Sequence, residues 1–62
     1  MDEAKIKHIL LEYYLGVGKT IFLHSKSRTL FKMRSAYGKA WNDEIAEKVY
    51  EELAKDIKEG KL

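Results

Sequence analysis

The sequence predicts a small α+β domain in the order helix, β-hairpin, helix. Three observations predict it: an amphipathic run at each end, two short runs of β-branched and aromatic residues between them, and glycines where the periodicity changes. The same residues admit a second architecture, an all-α helix-turn-helix bundle. With 62 residues, the chain is expected to form a single domain over 1–62.

The first helix is expected over residues 2–15. Asp2 suits its N-cap, because a carboxylate accepts from the free N–H groups of the first turn, and Glu3 favours the positive end of the helix dipole. Ile6, Ile9, Leu10 and Tyr13 recur at helical spacing, and Gly16 is expected to end the helix. Leu11 and Leu15 fall off that stripe. They read either as a widened core face or as a dimer contact.

The middle of the chain carries the two structures. As strands, Thr20-Ile21-Phe22-Leu23-His24 and Thr29-Leu30-Phe31-Lys32-Met33-Arg34 pair across a loop at Lys26 to Arg28, which puts Leu23, Phe31, Ile21 and Met33 on one face. That turn holds none of the Gly, Asn, Asp or Pro that tight hairpins favour. As a helix, Ser27 caps a segment in which Leu30, Met33, Tyr37 and Trp41 share a face, with Gly38 as its interruption or stop.

The last helix is expected over residues 42–59. Asn42 is its N-cap, Asp43 and Glu44 lie in the first turn, and Lys55 and Lys58 precede Gly60. Ile45, Ala46, Val49, Tyr50, Leu53 and Ile57 make its apolar stripe, while Glu44/Lys48 and Glu51/Lys55 are spaced for i,i+4 ion pairs on the other face.

In the helical alternative, the run Ser27-Arg28-Thr29-Leu30-Phe31-Lys32-Met33-Arg34-Ser35-Ala36-Tyr37-Gly38 resembles the recognition helix of Fis-type helix-turn-helix proteins. That pattern reads arginine, threonine, leucine, an aromatic, basic residues, then tyrosine-glycine. The resemblance covers about a fifth of the chain and departs at Arg34, where the family keeps an apolar residue, and at His24, where its turn has glycine. It implies that Phe22 and Leu23 close the buried end of a preceding helix, and that Arg28, Thr29 and Lys32 lie near the end that reads base edges.

Charge is more segregated than a net value of +2 suggests. No acidic residue occurs from Tyr13 through Asn42, and all ten carboxylates lie outside that stretch. Lys19, Lys26, Arg28, Lys32, Arg34 and Lys39 give it six positive charges, interleaved with Ser25, Ser27, Thr29 and Ser35. Clustered cations with hydroxyl donors between them suit phosphates, so these six are the candidate nucleic-acid contacts. The bland alternative is ordinary solubilising charge.

Several chemistries are set aside. Gly16-Val17-Gly18-Lys19-Thr20 ends like a P-loop, yet Tyr13 stands where its first glycine belongs, and Ile21 replaces the third glycine of a dinucleotide fingerprint. His8 and His24 are far apart, no cysteine is present, and no nucleophile-and-base pattern stands out. No enzyme activity, metal or cofactor is therefore expected. No run is long and apolar enough to span a membrane and the start is acidic, so a cytoplasmic protein is expected.

A core this small adds at most about 3–5 kcal/mol, and with disulfides and metals excluded a partner subunit is the remaining support. The leading expectation is a homodimeric nucleic-acid-binding regulator of the kind phages and mobile elements encode. Leu11, Leu15 and an outward-facing Phe22 are its candidate interface. Phe31, Trp41 and Tyr50 are assigned to packing. The rival expectation is a small phage-encoded inhibitor or adaptor that docks on a host protein.

Overall fold

A computed structural model describes all residues, 1–62, as four α-helices with no strand. They are α1 (Glu3–Val17), α2 (Lys19–Leu23), α3 (Lys26–Tyr37) and α4 (Asp43–Lys58), and a 3-10 turn at Gly38–Ala40 links α3 to α4. The β-hairpin is thus corrected to α2 and α3, and the α+β class to an all-helical one. Two physical reasons favour the helices. The connecting residues supply no left-handed turn, and an isolated two-stranded ribbon leaves both edges unpaired, whereas helices satisfy their own backbone.

Both long helices begin as their sequences dictate. The Asp2 carboxylate accepts from the Lys5 backbone N–H at 2.9 Å, and the Asn42 side chain accepts from that of Ile45 at 3.1 Å. α1 does not stop at Gly16, however. It continues to Val17, and Gly18 ends it with φ 91° and ψ 169°, a conformation open essentially to glycine alone. α3 begins two residues earlier than its helical reading, with Ser25 and not Ser27 at its N-cap, and the Ser25 hydroxyl turns back to donate to the Ile21 carbonyl.

α1 and α4 pack along each other, and the α2–α3 segment closes over one side of that pair. The core is Ile6 and Leu10 from α1, Phe22 from α2, Thr29 and Met33 from α3, Trp41, and the α4 stripe Ala46, Val49, Tyr50, Leu53, Ala54 and Ile57. Phe22 sits at its centre. Its ring stacks on Tyr50 with centroids 4.6 Å apart and meets the edge of Tyr14 at 5.5 Å, and its carbonyl accepts the Tyr50 hydroxyl. That hydrogen bond ties α2 to α4. The folded chain exposes 4355 Å², so it buries roughly 60% of what an unfolded chain of 7.2 kDa shows.

Two aromatic assignments change places. Phe22, expected outward, is fully buried and belongs to no surface of the chain; Phe31, expected in the core, is 69% exposed. The hairpin face fails with them, since Ile21 is also exposed while Met33 is buried. On α4 the expected i,i+4 ion pairs give way to pairs between helices: Lys48 meets Glu3 at 3.3 Å and Glu51 meets Lys26 at 2.6 Å. No helix is long and apolar enough to cross a membrane.

Candidate nucleic-acid interface

α3 contains no carboxylate, and its 12 residues make a rod about 18 Å long. Thr29 and Met33, one turn apart, fix which side faces the core. At 100° per residue Arg28, Phe31, Lys32 and Ser35, at i, i+3, i+4 and i+7, share one exposed stripe that runs from the side opposite the core at Phe31 round to the α1 flank at Lys32. Arg28 and Lys32 therefore project from one ridge. The structure brings these two cations together on an exposed stripe with the Phe31 ring at its edge.

Lys26 and Arg34 point elsewhere. The Lys26 ammonium lies 2.6 Å from Glu51 and 3.9 Å from Glu47, and the Arg34 guanidinium lies 3.6 Å from Asp43. Both thus lean onto α4. The hydrogen bond to Glu51 raises the Lys26 pKa above the usual lysine value, and the same bond lowers that of Glu51 below the usual carboxylate value. Of the six sequence-derived contacts, two are engaged with acidic side chains of the same molecule.

Lys32 leans the other way, toward α1, with its ammonium 5.5 Å from the centroid of the Tyr13 ring. Lys19 opens α2 and Lys39 lies in the 3-10 turn after α3; both are exposed. Lys19, Arg28, Lys32 and Lys39 take part in no ion pair. They are the four of the six candidate contacts that remain available to an external anion.

The acidic counterpart is a shallow depression on α4 lined by Asp43, Glu44, Glu47, Lys48 and Glu51. Between it and the cationic ridge runs a groove bordered by Ser27, Leu30, Phe31 and Arg34 on α3 and by Asp43 and Glu47 on α4. Lys26 and Arg34 bridge the boundary, so the acidic side chains nearest α3 are those already holding a cation. Elsewhere, His8 pairs with Glu12 at 3.3 Å on the exposed side of α1, and no three His, Asp or Glu side chains converge as a metal site.

Among the candidate interface residues, Leu15 is 72% exposed and Leu11 is half-buried against the core. Ile21, which sequence reasoning placed on a buried hairpin face, joins Leu15 as an exposed aliphatic side chain. The exposure of Phe31 was missed as well. Its signal was present in the helical spacing of Arg28, Lys32 and Ser35 around it, which no buried face would carry.

Fold and surface together define a small all-α protein that presents a cationic helix on one side and an acidic helix on the other. Comparison with known protein families, curated proteins and solved structures finds no match to this chain.

Proposed function

We propose that this chain is a non-enzymatic, cytoplasmic nucleic-acid-binding regulator whose contact surface is the solvent face of α3. The observation that carries the reading is the pair Arg28 and Lys32, exposed on one ridge of a carboxylate-free helix and without an acidic partner. A polyanion gains most where cations are neither neutralised nor buried. Lys19 and Lys39, at the two ends of the α2–α3 segment, extend the available charge, and Ser35 adds a hydroxyl donor.

The four unpaired cations of the basic centre set a measurable expectation. Each phosphate neutralised on duplex DNA contributes about 0.9 to the slope of log affinity against log salt, so four contacts give a slope of about 3.6 in magnitude. Fluorescence anisotropy of labelled duplex DNA, single-stranded DNA and RNA, titrated at several salt concentrations, measures it. Binding with a slope up to that value supports the reading. The double charge reversal Arg28→Glu, Lys32→Glu then abolishes binding while the helical circular dichroism stays unchanged. Absence of binding to all three at low salt overturns it.

The same reading includes self-association, favoured by Leu15, whose side chain stands in solvent one turn from the half-buried Leu11. A dimer would bring two α3 ridges to one nucleic acid. Docking of the exposed aliphatic surface on a host protein is the reading that takes over if no nucleic acid is bound.

A further inference from the structure

Phe31 is the largest side chain on the cationic ridge and is 69% exposed, with Arg28 one turn before it, Lys32 beside it and Ser35 one turn after. A single exposed apolar residue is ordinary in itself. Its position is not, because the ring borders the stripe that carries Arg28 and Lys32, within reach of a polyanion that Arg28 holds. Phenylalanine offers no hydrogen bond, so it meets a nucleic acid in one of two ways: against the 5-methyl group of thymine, the apolar group that a base edge shows in the major groove, or by stacking on an unpaired base.

The shape of the element separates the two. α3 is a convex rod about 10–12 Å in diameter, matching the roughly 12 Å width of the B-form major groove. Single strands are held in concave channels, and the deep, narrow major groove of A-form RNA excludes side chains. The charges on either side orient the rod. Asp43 and Glu47 border the groove on one flank of Phe31, whereas Lys32 lies on the other flank toward Tyr13. On the α4 flank Arg34 already holds Asp43 and Lys26 holds Glu47, so the unpaired Lys32 makes the α1 side the one that draws a phosphate strand.

Resting on the nucleic-acid reading above, we propose that the ligand is duplex DNA and that Phe31 is its specificity-determining residue, reading thymine through the 5-methyl group in the major groove.

The test uses a short alternating dA–dT duplex and the same duplex with uracil replacing thymine, which removes the methyl groups and keeps every hydrogen-bonding atom and phosphate. The wild-type protein is expected to prefer the thymine duplex about fourfold for each methyl group it covers. Phe31→Ala should bind both duplexes equally, at the weaker affinity and with the wild-type salt slope, and Phe31→Leu should keep part of the preference. Because the ring is exposed, neither substitution disturbs the core, and circular dichroism confirms that the helices persist. Equal wild-type affinity for the two duplexes overturns the proposal, as does a preference that survives Phe31→Ala. Tighter, Phe31-dependent binding to a single strand also overturns it and makes the ring a stacking platform. Failure to bind any duplex, single strand or RNA at low salt is a different result, and removes the nucleic-acid reading itself.

Discussion

Removing one oxygen atom from Tyr50 tests how this small core is held. The Tyr50 hydroxyl is buried and donates to the backbone carbonyl of Phe22 near the end of α2, and no backbone N–H accompanies it there. Tyr50→Phe keeps the ring that stacks on Phe22 at 4.6 Å but leaves that carbonyl without a donor. An unsatisfied buried acceptor costs about 1–3 kcal/mol. For a chain of 62 residues each kcal/mol shifts the unfolding midpoint by about 8 °C. The variant should therefore melt about 8–24 °C below the wild type, a large loss where the whole core supplies only about 3–5 kcal/mol. Thermal unfolding followed by circular dichroism at equal protein concentration measures it. A midpoint within about 2 °C of wild type, well under the shift expected for a lost buried hydrogen bond, would refute the reasoning and leave aromatic stacking as the whole tie between α2 and α4.

Two glycines two residues apart should respond oppositely to alanine. Gly16 lies inside α1 with open space around a Cβ, so Gly16→Ala should raise stability by about 1 kcal/mol, whereas Gly18→Ala, at φ 91°, should lower it by about 1–3 kcal/mol in the same melting assay. The Lys26–Glu51 hydrogen bond makes stability pH-dependent at the acid end. Glu51 is depressed in the folded state, so its contribution is complete above the ordinary value of 4.5 and is lost as pH falls through the folded value; Glu51→Gln should flatten part of that limb. At the alkaline end Lys26 is raised by its hydrogen bond to Glu51 and Tyr50 is raised by burial. Their contributions hold below the ordinary values of 10.5 and 10.0 and disappear as pH rises through the folded ones, which a pH series of unfolding midpoints will show. If Leu15 lies in a dimer contact, dilution should lower the wild-type midpoint and Leu15→Lys should make it independent of concentration.

The two terminal helices were legible because each carries its own instructions. Asp2 and Asn42 cap as their side chains require, and the α4 stripe from Ala46 to Ile57 is buried as its spacing demands. The middle was not legible, because Ile21-Phe22-Leu23 and Leu30-Phe31-Lys32-Met33 satisfy both periodicities over so few residues. The absence of a turn residue at Lys26 to Arg28 was the available signal against a hairpin, and it was the correct one. Of the candidate site, the charge segregation was visible in the sequence, but the division of its cations was not. Lys26 and Arg34 differ from Arg28 and Lys32 only by their angle around α3, which acquires meaning once α4 lies alongside.

The sequence by itself determined the two long helices, the acid-free basic centre and the small size of the core, since caps, periodicity and charge are properties of neighbours along the chain. Tertiary structure decided that the centre is helical, that Phe22 is inside and Phe31 outside, and which cations remain available. Those outcomes depend on which faces meet across 28 residues of chain, where Tyr50 reaches Phe22, and burial of one ring at that meeting point leaves the other in solvent.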